Sequence, residues 1–414
     1  MPGELLRVVT AGSVDDGKST LVGRLLHDAK VVLADQLSAV ELASRRRGYE
    51  GADLALLVDG LRAEREQGIT IDVAYRYFAT ARRTFILADT PGHVQYTRNT
   101  VTGASTADVA VILVDARSGV VEQTKRHLAV TSLLRVSEVV LAVNKMDLVG
   151  YSEPVFDAIV ADFAGAAGKL GVDHFTPIPV AALAGDNVVE SSANMPWFGG
   201  SPLLGFLEHV EPAIPVELPA RFPVQLVIRP QTRQHPDYRG YAGRVEAGVL
   251  RRGDKVRVLP SGMLSAIEGI DTPDGELSEA AVGRSVTIRL RDDVDVSRGD
   301  LIVVEGDPQP ITSRELSATV CWLTDKPLRA GDRYQLRHTT RDILAVVDEV
   351  RSKLDIASVV DLPATELGLN DIGSVRIRLA EPVVTDPYSV NRSTGAFLLV
   401  DQASGATVAA GMVR

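Results

Sequence analysis

The stretch that most constrains this chain is Gly12-Ser13-Val14-Asp15-Asp16-Gly17-Lys18-Ser19. An apolar run, Leu5–Ala11, precedes it, and Leu21, Leu25 and Leu26 follow at helical spacing. The order is strand, glycine loop, helix, and the loop matches G-x-x-x-x-G-K-[ST]. Gly12 and Gly17 let the backbone turn so that successive N–H groups converge on phosphate oxygens. The helix start adds partial positive charge. Lys18 sets a cation against the β/γ-phosphates, and the Ser19 hydroxyl is a ligand for Mg²⁺. A nucleoside triphosphate binds here.

Four further stretches complete a nucleotide switch. Asp89-Thr90-Pro91-Gly92-His93 closes an apolar strand. An acid there can hold Mg²⁺, directly or through water. Gly92 can offer its N–H to the γ-phosphate, and His93 can hold the attacking water. Asn144-Lys145-Met146-Asp147 follows a second apolar strand. A carboxylate at Asp147 accepts both the N1–H and the 2-amino hydrogens of guanine, donors that adenine lacks. An acceptor left unpaired costs about 1–3 kcal/mol, so Asp147 selects guanine. Lys145 lays its stem along the base, and Asn144 ties this loop to the first. In Gly68-Ile69-Thr70, the Thr70 hydroxyl is a mobile ligand that completes the Mg²⁺ shell when the γ-phosphate is present. Val180-Ala181-Ala182-Leu183 reads as a strand end whose N–H groups meet the guanine oxygen. Asp15 and Asp16 read as outward-pointing, because a carboxylate beside phosphates costs energy; a monovalent cation beside Asp15 is the alternative.

Apolar β-runs alternate with helical stretches from residue 5 to about 210. They include Ile69–Phe78, Thr84–Ala88, Val109–Val114, Val139–Val143 and Ile178–Leu183, with helices over Glu122–Arg135, Glu153–Leu170 and Pro202–Val210. This predicts a mostly parallel sheet with helices on both faces. Residues 30–68 read as a long polar connection. The stretch Glu211–Pro219 carries three prolines in nine residues and reads as an extended linker. Beyond it, Gly-Asp turns at Gly253-Asp254, Gly299-Asp300 and Gly331-Asp332 punctuate short β-runs, which predicts two all-β barrels. The expected domains are 1–212 (nucleotide-binding), 213–306 and 307–414 (barrels).

The net charge of −10 leans against a nucleic-acid partner. No run of 18 apolar residues suits a membrane, and the start of the chain lacks a secretory pattern, so a cytoplasmic location is expected. The single Cys321 lies beside Trp322 in an apolar run and reads as a buried structural thiol.

Taken together, these stretches resemble the translational-factor class of P-loop GTPases, in which two β-barrels follow the GTPase domain. Within it, Gly12–Leu26, Ala55–Phe78, Ala88–Thr100, Gly103–Ala107, Gly185-Asp-Asn187, Met195-Pro-Trp197, Tyr238–Tyr241 and Asn391–Gly395 look most like the GTPase (large) subunits of bacterial sulfate adenylyltransferase. The resemblance covers essentially the whole chain. It implies GTP and Mg²⁺ bound by Gly12–Thr20, switches at Thr70 and Asp89–His93, and a guanine site at Asn144–Asp147. It also implies a partner small subunit that transfers adenylyl from ATP to sulfate. Ala181 stands where the family commonly has serine, so a hydroxyl is lost while the backbone donor survives. The sequence ends at Arg414 without a second P-loop, so the adenylylsulfate kinase fused to some relatives is not expected of it. The rival reading is an elongation-factor-type GTPase that delivers aminoacyl-tRNA.

Overall fold

The computed structural model describes residues 5–32, 35, 37–38, 40, 42, 44, 54–57, 72–93, 97–211, 218–230 and 238–414. Thr70, most of the 30–68 connection and the centre of the 211–219 linker lie outside the described residues. The chain divides into two compact units, residues 1–214 with 355–360, and residues 215–354 with 361–414.

The first unit is α/β. Its strands are β1 (Leu5–Ala11), β2 (Ala74–Ala79), β3 (Thr84–Asp89), β4 (Val109–Asp115), β5 (Glu138–Asn144) and β6 (Thr176–Pro179). Its helices are α1 (Lys18–Asp28), α2 (Thr97–Ala104), α3 (Glu122–Leu133), α4 (Glu153–Lys169) and α5 (Leu203–His209). The sheet order is β2-β3-β1-β4-β5-β6, with only β2 antiparallel to its neighbour. All seven residues of β4 are buried, as a strand covered on both faces requires. On α1, Leu21, Val22, Leu25 and Leu26 are buried and dock that helix on the sheet. The sequence run Ile178–Leu183 is not one strand. Pairing stops at Pro179, and residues 182–185 turn, because Ala181 bonds locally to Asp186 instead of continuing the ladder. Helix α2 was not expected from the sequence: Thr97–Ala104 is short and polar, without an apolar stripe long enough to show a period.

β1 lies between β3 and β4, so strand order reverses beside it. In parallel sheets, ligands sit at the carboxyl ends of strands at this point. Ala11, Asp89, Asp115 and Asn144 are the strand-end residues there. Register places Thr10 opposite Asp89 and Asp115 opposite Asn144.

The second unit is all-β. One seven-stranded sheet spans residues 222–304, and its edge strand Lys255–Leu259 also pairs with Met263–Thr272, closing a barrel. A second seven-stranded sheet spans 311–413 and closes through Arg333–His338 on Arg341–Asp355. The three Gly-Asp turns are built alike. Gly253, Gly299 and Gly331 have φ of 92°, 97° and 91°, a region that favours glycine. The carboxylates of Asp254, Asp300 and Asp332 each accept the N–H three residues back, at 2.8 Å. Cys321 is fully buried in the second barrel.

Candidate nucleotide site

A cavity of about 510 Å³ opens at the carboxyl edge of the sheet, lined by Val14, Asp15, Gly17–Thr20, Gly92, His93, Arg117 and Lys145. The structure therefore brings three separated sequence stretches to one place.

The phosphate loop is held from within. Lys18 Nζ donates to the carbonyls of Gly12 (2.9 Å) and Ser13 (2.8 Å), curling the loop around the ammonium. Burial pushes the Lys18 pKa down, and the charges of Asp89, Asp16 and Asp15 oppose that shift. Gly17 caps α1 at φ 88°, and a Cβ there would lie 2.5 Å from Asn144 Nδ2. A Cβ on Gly92 would lie 2.5 Å from Lys18 Nζ, so glycine is what lets the Asp89–His93 segment approach the phosphate loop.

Asp15 is exposed, as expected, but Asp16 is not. Its side chain turns inward, only 6% exposed, and its carboxylate accepts the Ser13 N–H at 2.5 Å. The cause is local: an acceptor beneath the loop satisfies a backbone donor that burial would otherwise orphan. Desolvation raises the Asp16 pKa, partly countered by Lys18. Below it, the fully buried His127 of α3 is bonded to the backbone of Gly12 and lies 3.2 Å from Gln123 Nε2.

Asp89 is wholly buried, with Thr10 Oγ1 donating to one carboxylate oxygen (2.7 Å) and Ser19 Oγ to the other (3.1 Å). Thr90 is buried and bonds the Thr10 carbonyl at 2.7 Å; Pro91 is also buried, and His93 is exposed at the cavity. Ser19 and Asp89 together form a hard oxygen donor pair of the kind that suits Mg²⁺.

Asn144 joins the Gly12–Ser19 loop to the turn that follows β6. Its Nδ2 donates to the Asp16 carbonyl (2.7 Å), and its Oδ1 accepts the Ala182 N–H (3.0 Å). Met146 is buried and its N–H bonds the Val180 carbonyl, while Asp147 is partly exposed. The Ala181 N–H is also engaged, with Asp186, so Leu183 (73% exposed) carries the open N–H of the three expected donors. Arg24 braces this turn from α1 through the carbonyls of Ala182 and Leu183.

Asp115 was missed by sequence reasoning. It ends β4, pairs with Lys145 Nζ at 3.0 Å, and takes a two-pronged contact from Arg117. Arg117 and Lys145 hold its carboxyl well below the usual range. The signal was present, since an acid also marks the end of β3 at Asp89.

The fold and these loops define a P-loop GTPase of the translational-factor class. Residues 3–220 match the family model described as "Elongation factor Tu GTP binding domain", and residues 315–414 match "GTP-eEF1A C-terminal domain-like". The chain is 53% identical to "Bifunctional enzyme CysN/CysC" of Mycobacterium tuberculosis, over 99% of this chain and 67% of that protein. It is 51% identical to "Bifunctional enzyme NodQ" of Rhizobium tropici, over 99% of this chain and 65% of that protein. It is also 50% identical to "Sulfate adenylyltransferase subunit 1" of Tolumonas auensis, over 99% of this chain and 86% of that protein. The chain belongs to the sulfate adenylyltransferase subunit 1 family. Among the described residues no helix is long and apolar enough to cross a membrane.

Proposed function

We propose that this chain is the GTP-hydrolysing subunit of a cytoplasmic sulfate adenylyltransferase, with adenylyl transfer from ATP to sulfate on a partner small subunit. Adenylylsulfate formation runs strongly uphill, and coupled GTP hydrolysis displaces it forward. The observation that carries the nucleotide reading is the Asn144 bridge, which fixes the guanine-selecting loop to the phosphate loop across one cavity.

In this reading Gly12–Thr20 cradles the phosphates, with Lys18 on the β/γ-phosphates, and Asp147 accepts the guanine N–H groups. Ser19 and Asp89 hold Mg²⁺, Asp89 directly or through water, and Thr70 joins them. The ion, when bound, neutralises charge developing on the phosphates. His93 orients the attacking water from the cavity rim, and Gly92 offers its N–H to the γ-phosphate. The proposed domain limits are 1–212, 213–306 and 307–414; barrel strands that begin at Phe222 and Ile311 support this reading.

The test is adenylylsulfate formation by the purified pair of this chain and its co-expressed small subunit, with and without GTP. The expected result is GTP-dependent product and GTP turnover that requires the small subunit and sulfate. Turnover stimulated by ribosomes, without effect of the small subunit, would instead establish the elongation-factor reading.

A further inference from the structure

The Gly185-Asp-Asn187 and Met195-Pro-Trp197 stretches have no role in the nucleotide chemistry described above, yet both converge on the guanine-reading loops. One of those loops ends at Tyr151, four residues past Asp147, where the Tyr151 N–H closes back on the Met146 carbonyl at 2.8 Å. The other runs from Ala181 to Asp186, closed by the Ala181 N–H on the Asp186 carbonyl. Between them, Tyr151 Oη donates to Asp186 Oδ2 at 3.0 Å.

Both ends of this tie are held in turn. Trp197 Nε1 donates to the Tyr151 carbonyl at 3.0 Å. Ser192 Oγ (2.6 Å) and Asn194 Nδ2 (3.2 Å) donate to the other Asp186 oxygen. Asn187, 2% exposed, anchors the turn by donating to the Pro179 carbonyl at the end of β6. A carboxylate fixed by three donors has one orientation, and the tyrosine that meets it inherits that orientation.

We infer that the Tyr151–Asp186 hydrogen bond is a positioning tie that sets the spacing between the two guanine-reading loops, and so determines how well Asp147 meets the 2-amino group. Neither residue touches the nucleotide in this assignment. Tyr151 acts on Asp147 through the closed turn 146–151, and Asp186 acts on Leu183 through the turn 181–186. The inference rests on Asp147 being the guanine acceptor, and the experiment separates the two claims.

GTP and inosine triphosphate differ only in the 2-amino group, so the ratio of their dissociation constants on the full chain reads its recognition. The unmodified protein is expected to prefer GTP. Tyr151→Phe and Asp186→Ala should each cut that preference at least about fivefold, while Asp186→Asn, whose amide oxygen still accepts from the tyrosine, should retain most of it. Thermal melting is measured alongside. An unchanged GTP-to-ITP ratio in Tyr151→Phe, or equal loss for both nucleotides with a lowered melting point, would overturn the tie. No preference in the unmodified protein would overturn the Asp147 assignment itself, and the tie with it.

Discussion

The guanidinium of Arg221 lies against the carboxylate of Asp386 in a two-pronged contact, Nε to Oδ2 and Nη2 to Oδ1, each 2.9 Å. Arg221 opens the first barrel, Asp386 follows the longest strand pairing of the second, and both are buried. Thr394 Oγ1 adds a third bond to Asp386 at 2.6 Å, from the short helical turn that Asn391 caps. The Asn391–Gly395 stretch, prominent in the sequence, therefore serves the joint between barrels.

Removing one partner of a buried ion pair leaves the other uncompensated, at about 3–5 kcal/mol. Arg221→Ala should destabilise the barrel unit by that order in urea unfolding, while GTP affinity measured under native conditions stays within about twofold.

At the base, Asp147→Asn replaces an acceptor with a donor. Preference should move from GTP toward xanthosine triphosphate, with GTP weakened by about 1–3 kcal/mol, roughly fivefold to 150-fold. Calorimetric titration with both nucleotides checks this. Retained guanine selectivity would contradict the assignment.

His93 is exposed and lines the cavity. His93→Ala should lower kcat about 100-fold or more while leaving GTP affinity within about twofold, because orienting water acts in the transition state. Single-turnover hydrolysis beside equilibrium binding separates the two quantities. Parallel loss of both would make His93 a structural residue.

The buried histidine beneath the phosphate loop predicts acid lability. Burial, assisted by the Lys18 charge, pushes the His127 imidazole down to about 3. The unfolded chain takes up that proton near the ordinary value of about 6.5. Its contribution to stability is therefore full above about 6.5 and is lost as pH falls toward about 3, at up to about 1.4 kcal/mol per unit. His127→Gln should flatten this part of the profile in urea unfolding at pH 7, 6 and 5. An unchanged slope would place the lability elsewhere.

Much of this architecture is legible in the sequence because β1, β4 and β5 are continuous apolar runs ended by Gly12, Asp115 and Asn144, and buried parallel strands leave that pattern. The barrel turns were equally plain, since Gly-Asp before alternating residues encodes one backbone geometry three times. Asp16 was not legible. Charge arithmetic turned it outward, whereas an unsatisfied Ser13 N–H beneath the loop turns it in, and only the folded backbone reveals that donor. The end of β6 was also hidden, because Val180-Ala-Ala continues the apolar run while Asp186 draws the backbone away. The partners of Asn144 span more than a hundred residues, a distance at which no local pattern operates.

That bridge has a mechanical meaning. Asn144 uses its donor on the phosphate loop and its acceptor on the base loop, so neither loop can shift without pulling the other. A single side chain thus makes one mechanical body of two segments that the sequence holds far apart.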